Sequence, residues 1–320
     1  MIWVALWRAL PELSWATLEL RWLWLGALAS LVIWLLRAAR LWGLGLCTAR
    51  VALKVVACHG GLLRVTPMRL GELSLPYLLK RWAEVPHAHS GALLIWLRLC
   101  ELIILCAATL ISLWLSSALG AQLNELSAAT LSAQRAWLSL GLICALAALA
   151  SLSRLIRPLL SVGLSLMERL SGALSLTRLT KRLEALSAEL ELLPELPWRS
   201  RAWLLLMSAM IFLTQLTLFG SALWSCAVSL GLAELTLGSS CAHVAGVIPL
   251  PTLGNVGSHE LGWTLGFMWV GVPREAALCS ALLSQLFTLA MSLLWWGVAS
   301  FISLPSQRSG GRCVLGEGEG

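Results

Sequence analysis

Aspartate is missing from this chain: every one of its 16 acidic residues is a glutamate. Lysine is nearly missing, with only Lys54, Lys80 and Lys181 among 23 basic residues, and Tyr77 is the one tyrosine. This skew fits coding bias, and no function is drawn from it. Charge itself is scarce. Only 12% of residues are charged, against about 25% in soluble domains, which excludes a surface wetted on all sides. Several chemical signatures are absent too. The nine cysteines include no C-x-x-C pair and read as inert, buried thiols. No P-loop or nucleophile elbow occurs, which argues against ATP-driven transport by this chain alone. The five histidines (His59, His87, His89, His243, His259) offer one close pair, His87 and His89, without further partners at ligand spacing. Neither a metal nor any other cofactor is expected, nor is a nucleic-acid partner.

What the chain has is hydrocarbon. Hydrophobic residues make up 58% of it, and mean hydropathy is +0.83. Runs such as Trp203 to Gly220 and Leu282 to Leu304 approach or reach the roughly 20 apolar residues that cross a bilayer core. The class that follows is an all-α, polytopic transmembrane helical bundle, with no cleavable signal peptide evident. Long helices are expected over Trp22 to Leu36, Ala92 to Leu119, Ala136 to Leu155, Ala202 to Leu232 (with a break near Gly220) and Ala276 to Leu304. A weaker stretch covers Leu41 to Leu63. Two pieces, His243 to Leu250 and Leu261 to Val272, are too short to span alone. Short pieces at membrane depth read as re-entrant or broken helices, tolerated where protein or a wet cavity satisfies the backbone. The 18 tryptophans, among them Trp22, Trp24, Trp198, Trp203, Trp295 and Trp296 near expected helix ends, read as interfacial anchors.

Charge placement orients the helices. Positions 154–201 hold eight basic residues around an amphipathic middle, Leu164 to Leu193, while Gly120 to Arg135 holds one and Gly231 to Ala242 none. The positive-inside rule puts 154–201 in the cytoplasm and the other two loops outside. Arg308 and Arg312 put the Gly- and Ser-rich tail, 305–320, inside as well, where it is expected to be disordered. Residues 1–304 then form a single membrane domain: repeat 1 over about 41–119, a cytoplasmic amphipathic connection over about 154–201, and repeat 2 over about 202–304.

The repeats rest on a likeness between two stretches. Val65-Thr66-Pro67-Met68-Arg69-Leu70-Gly71-Glu72 and the stretch from Val247-Ile248-Pro249 through Gly254, Gly257 and His259 to Glu260 each carry an early proline, a glycine break and a carboxylate. Each meets a Val-Pro pair further on, Val85-Pro86 and Val272-Pro273. The helix after the first stretch runs from inside to outside and the helix after the second runs back, so the two repeats are inverted. Paired Gly/Pro-interrupted segments in two halves are the best sequence pointer to a transporter's binding site. Arg98 and Glu101 lie three apart inside an otherwise apolar helix, where arginine alone costs about 2.5 to 3.5 kcal/mol at the bilayer centre. Two explanations stay open for them, an ionic clamp between helices and a wall of a hydrated site.

Pro67-Met68-Arg69-Leu70-Gly71-Glu72 with Tyr77 resembles the P-x-R-x-G-E…Y element of the lysylphosphatidylglycerol synthase transmembrane-region family, also called flippase-like. Arg98-Leu99-Cys100-Glu101 resembles its R-x-x-D element with Glu for Asp. Pro249 and Gly254-Asn255-Val256-Gly257-Ser258-His259-Glu260, followed by Gly271-Val272-Pro273, resemble its P…G-G-x-G-x-R-E…G-V-P element. The resemblance covers roughly residues 20 to 304. It implies a bacterial inner-membrane protein, related to the flippase half of the multiple peptide resistance factor, that moves or presents a phospholipid, a hopanoid or a polyprenyl-linked lipid. The implied site residues are Pro67, Arg69, Gly71, Glu72, Tyr77, Arg98, Glu101, Pro249, Gly254, Gly257, His259 and Glu260. Departures from the pattern remove positive charge: Leu75 stands where an arginine follows the first G-E, His259 precedes the second glutamate, and Ser284-Gln285 replaces an arginine of the late helix. They shift the expected cargo towards a hydroxylated or less charged lipid such as a hopanoid. The N-terminus is short for the family, so a first helix is expected to be missing. The chain is not expected to be an enzyme. A scaffold subunit of a lipid-synthesis complex and, less favoured, a membrane-embedded lipid-modifying enzyme remain the alternatives. A membrane lipid and the bilayer are the expected partners, with a homo-oligomer and lipid-synthesis proteins left open.

Overall fold

Proline and glycine punctuate a chain otherwise rich in Leu, Ala and Trp, and all the regular structure among the described residues is helical. The structure, a computed structural model, describes residues 19, 21–66, 70–115, 136, 139, 140, 143, 197–247 and 257–304. In chain order the helices are α1 (Arg21–Trp42), α2 (Ala49–Val65), a 3₁₀ turn (Leu70–Leu73) leading into α3 (Ser74–Ala83), α4 (His87–Leu115), α5 (Trp198–Ser225), α6 (Leu232–Val247), α7 (Ser258–Trp269) and α8 (Arg274–Ser300). Prolines open three of the long ones: Pro86, Pro197 and Pro273 each immediately precede the first helical residue, where a missing N–H costs nothing. Among the described residues, four helices are long and apolar enough to cross a membrane: α1, α4 from His89 onward, α5 and α8. The helical, multi-pass class expected from the composition is what the structure has.

Boundaries differ in instructive ways. No break occurs at Gly220; α5 is continuous to Ser225. The chain turns instead over 226–231, where Ala227 takes a left-handed φ of 56°, and α6 begins eleven residues earlier than the expected His243. Alternating small polar and apolar residues from Leu232 to Val247 hid that start from a hydropathy reading. α1 runs six residues past Leu36, carrying Arg37 and Arg40 into the bundle. The expected helix Ala136 to Leu155, the connection 154–201 and the tail 305–320 lie almost wholly outside the described residues.

Each half of the described chain has the same order: long helix, two short helices meeting at a break, long helix. The backbone N–H of Glu19 donates to Ser225 at one end of the α1–α5 pair, while Trp203 reaches the Arg40 carbonyl and packs on Gly43 at the other. These two most extensively packed long helices are therefore antiparallel. α2 packs on α8 as α6 packs on α4, and the short helices of each half pack on one another. The α2–α3 hairpin enters from the end of the bundle where α5 starts, and the α6–α7 hairpin from the end where α5 stops.

The tightest contact is within the second hairpin. A Cβ on Gly266 would strike the Gly238 carbonyl, and one on Gly262 would strike Ala245 and the Cys241 carbonyl. Small residues four apart let two backbones approach in lipid, where association comes from packing and not from water exclusion. Around this hairpin lies one apolar core with Trp263, Phe267 and Phe219 at its centre. A second core, on Leu41, Val55 and Leu79, fills the first hairpin.

Candidate functional site

Arg98 of α4 cannot sit among hydrocarbon alone, and the fold gives it two carboxylates. Its Nε and Nη2 donate to Glu72 at 3.1 and 2.5 Å, a bidentate pair across the break of the first hairpin. Its Nη1 donates to Glu101, one turn further on α4, at 2.7 Å. The other Glu101 oxygen accepts both terminal nitrogens of Arg40 at 3.1 Å, and Arg40 also donates to Ser208 of α5 at 3.1 Å. One chain of charge-assisted bonds thus ties the first hairpin, α4, α1 and α5 together. Arg40 is only 5% exposed. Its pairing offsets a desolvation cost of several kcal/mol per buried ion.

In front of this network lies a cavity of about 250 Å³. Its charged wall is Arg37, Arg64, Arg98 and Glu72, three guanidiniums against one carboxylate. The facing wall is polar and aromatic, with His243 and His259 from the second hairpin and Gln215, Thr288 and Trp295 from α5 and α8. A smaller hollow of about 60 Å³ beside Arg37, Arg40, His59 and Glu101 continues it. The broken ends converge here: Arg64 closes α2, Glu72 opens the return of the first hairpin, His243 and Gly246 close α6, and His259 opens α7. Trp295 stacks on Trp34 with ring centroids 5.1 Å apart and donates to Ser30 at 2.9 Å. It builds the cavity wall, while Trp24 and Trp198, 80% and 74% exposed, are placed as interfacial anchors would be.

The remaining expected residues divide. Glu72, Arg98 and Glu101 meet, and His259 faces them across the cavity. Glu260 does not line it: the carboxylate is 2% exposed and accepts the Gly257 N–H at 2.6 Å, capping α7. Gly257 supplies the positive φ of 101° that this cap uses. Gly71 is buried where a Cβ would strike Leu62 and Leu63 of α2, so its role is close approach. Tyr77 is exposed and accepts Arg81 at 3.2 Å, away from the cavity. Pro67, Arg69, Pro249 and Gly254 lie outside the described residues. Arg37, Arg40 and Arg64 were not singled out from the sequence. The available signal was their spacing, Arg37 and Arg40 one turn apart at the end of α1 and Arg64 beside the first break.

The family model for the lysylphosphatidylglycerol synthase TM region matches residues 1–295. The chain belongs to this family. No curated protein matches, and no solved structure does. Membership in the lysylphosphatidylglycerol synthase transmembrane-region family makes this a multi-pass membrane protein of lipid handling, in contact with the bilayer. It also gives meaning to the departures noted in the sequence. Gln285, at one of the positions that lacks arginine, accepts a hydrogen bond from Arg64 at 3.3 Å. Arg64 thus brings a guanidinium to the place from the opposite half. Leu75, at another, is 3% exposed in the core of the first hairpin.

Proposed function

We propose that the chain carries or presents an anionic phospholipid across a bacterial inner membrane, with the headgroup held in the central cavity and the lipid left chemically unchanged. The observation that carries this reading is the cavity itself. It collects the four broken helix ends, and its charged surface is three arginines to one glutamate. Arg37 Nε and His243 Nε2 are buried without a hydrogen-bond partner among the described residues, as expected of groups awaiting a polar ligand. Arginine suits phosphate because its planar fork binds two oxygens at once. Arg37 and Arg64, which the ends of α1 and α2 bring to the cavity, offset two of the three positive charges missing from the family pattern, which moves the cargo from a weakly charged lipid towards a phosphate ester.

Inverted repeats fit this reading. The hairpins enter from opposite ends, the packing of one half maps onto that of the other, and rocking one half against the other exposes a midplane site alternately to each side. Among the described residues, the end where α5 starts gathers Arg50, Lys54, Lys80, Arg81, Arg199 and Arg201, while the other carries Arg21 and Arg274. The positive-inside rule assigns the first end to the cytoplasm.

The test is movement of a labelled phosphatidylglycerol in proteoliposomes of phosphatidylcholine. Glu72→Gln is expected to slow it at least about tenfold, since a charge-assisted hydrogen bond contributes about 1.5–3 kcal/mol, while the purified protein still unfolds in one cooperative thermal transition. Arg37→Gln is expected to slow the anionic lipid more than a labelled phosphatidylcholine. Equal movement by all variants, or a lipid recovered with altered mass, would overturn the proposal.

A further inference from the structure

Cys226 and Cys279 were two of nine scattered thiols in the sequence, 53 positions apart. The fold brings them together: their sulfurs are 3.5 Å apart, Cys226 just past the end of α5 and Cys279 in the second turn of α8. Both are half-buried, and exposed Ala227 and Glu275 lie within four residues of one or the other. Nothing in the lipid cavity uses them; neither lines it. The end of the bundle where they sit is the one poor in arginine and lysine, the outer end in the orientation proposed above, and outside the cytoplasm thiols persist as disulfides.

We propose that Cys226 and Cys279 form a disulfide that closes the base of the second re-entrant hairpin on the outer side. The chemistry is thiol–disulfide exchange with an external disulfide donor. One cysteine thiolate attacks a sulfur of the donor and releases a donor thiol, then the second cysteine thiolate attacks the mixed disulfide and releases the other. Two cysteine thiols are oxidised, one donor disulfide is reduced, and the two protons lost by the cysteines end on the donor's thiols. An S–S bond is about 2.05 Å long, so the sulfurs close by about 1.5 Å, within the reach of side-chain torsions. The bond encloses α6, the break and α7 in a covalent loop anchored on α5 and α8. The hairpin then moves with those two helices as one body, and unfolding it alone becomes harder.

Intact bacteria expressing the full chain are treated with N-ethylmaleimide, and the protein is purified and digested without reductant. Mass spectrometry is expected to recover the Cys226 and Cys279 peptides as one linked species, separated by reductant and lost in Cys226→Ser. Both peptides recovered singly as maleimide adducts would overturn the proposal. A second arm treats intact cells with a membrane-impermeant phosphine and then a membrane-impermeant maleimide. Labelling of both cysteines is expected. A linked species that resists this treatment until the cells are permeabilised removes the outer location, and with it the orientation on which it rests, while the pairing stands. In a third arm, purified reduced protein is exposed to oxidised glutathione. Failure to link the two cysteines would sink the geometric basis independently of sidedness.

Discussion

Arginine and glutamate at membrane depth are each costly alone, and the central network shows how four of them are tolerated together. Glu101 is its hub, accepting Arg98 through one oxygen and buried Arg40 through the other. Removing it leaves Arg40, among the described residues, with Ser208 as its hydrogen-bond partner and no counter-charge. Breaking a buried pair from one side costs about 3–5 kcal/mol. Glu101→Ala is therefore expected to lower the thermal midpoint in detergent clearly more than Glu72→Ala, because Arg98, the partner of Glu72, keeps Glu101 and is 41% exposed. Equal losses would show that the network is not centred on Glu101. Part of this site was legible in advance. Arg98 and Glu101 stood out because opposite charges three apart in a hydrophobic run have no cheap explanation. Arg37, Arg40 and Arg64 did not stand out, because basic residues at the end of an apolar stretch look the same whether they face cytoplasm or turn inward. Only the extra turns of α1 and the packing of α2 on α8 decide that. Glu260 misled for a related reason: a carboxylate after glycine marks a helix N-terminus as readily as a ligand, and here it caps α7.

The second hairpin is held by absence of side chains. Gly262 and Gly266 of α7 face Gly238, Cys241 and Ala245 of α6, so close that a single methyl group on either glycine meets backbone. Overpacking of this kind typically costs 1–3 kcal/mol, and here it pushes apart the two helices that present His243 and His259. Gly266→Ala is expected to lower thermal stability by about that amount and to reduce lipid movement. Gly297→Ala on α8, with nothing within 4 Å of the added carbon, is expected to be neutral or slightly stabilising, since alanine favours helix by about 1 kcal/mol over glycine. Matching thermal midpoints for the two variants would contradict the packing account. At this scale the sequence was informative about the existence of broken helices and poor about their edges. The Gly/Pro-rich breaks and the Val-Pro starts of α4 and α8 were visible. The turn between α5 and α6 was not, because Cys226 to Gly231 contains no proline or charge and hydropathy runs through it.

At the scale of the whole molecule, the two halves meet where α1 packs on α5, α2 on α8, and α4 on α5 and α6, and these faces must shear if the halves rock. The α4–α6 face offers a direct test. Thr109 and Ser240 touch through their hydroxyls at 2.7 Å, one side chain from each half. Both oxygens sit on Cβ, so their Cβ atoms are close to the roughly 3.5–4.5 Å that a disulfide bridges. Thr109→Cys with Ser240→Cys, in a chain whose native cysteines are replaced by serine, is expected to cross-link on oxidation. With the bond formed, lipid movement in proteoliposomes should fall to the protein-free rate, and reductant should restore it. That reversal separates a mechanical lock from damage done by the substitutions, which reductant would not undo. Full movement through a quantitatively cross-linked protein would mean that α4 and α6 stay together throughout the cycle. The rocking would then have to be confined to the first hairpin, with Arg98 releasing Glu72 as the step that opens the cavity.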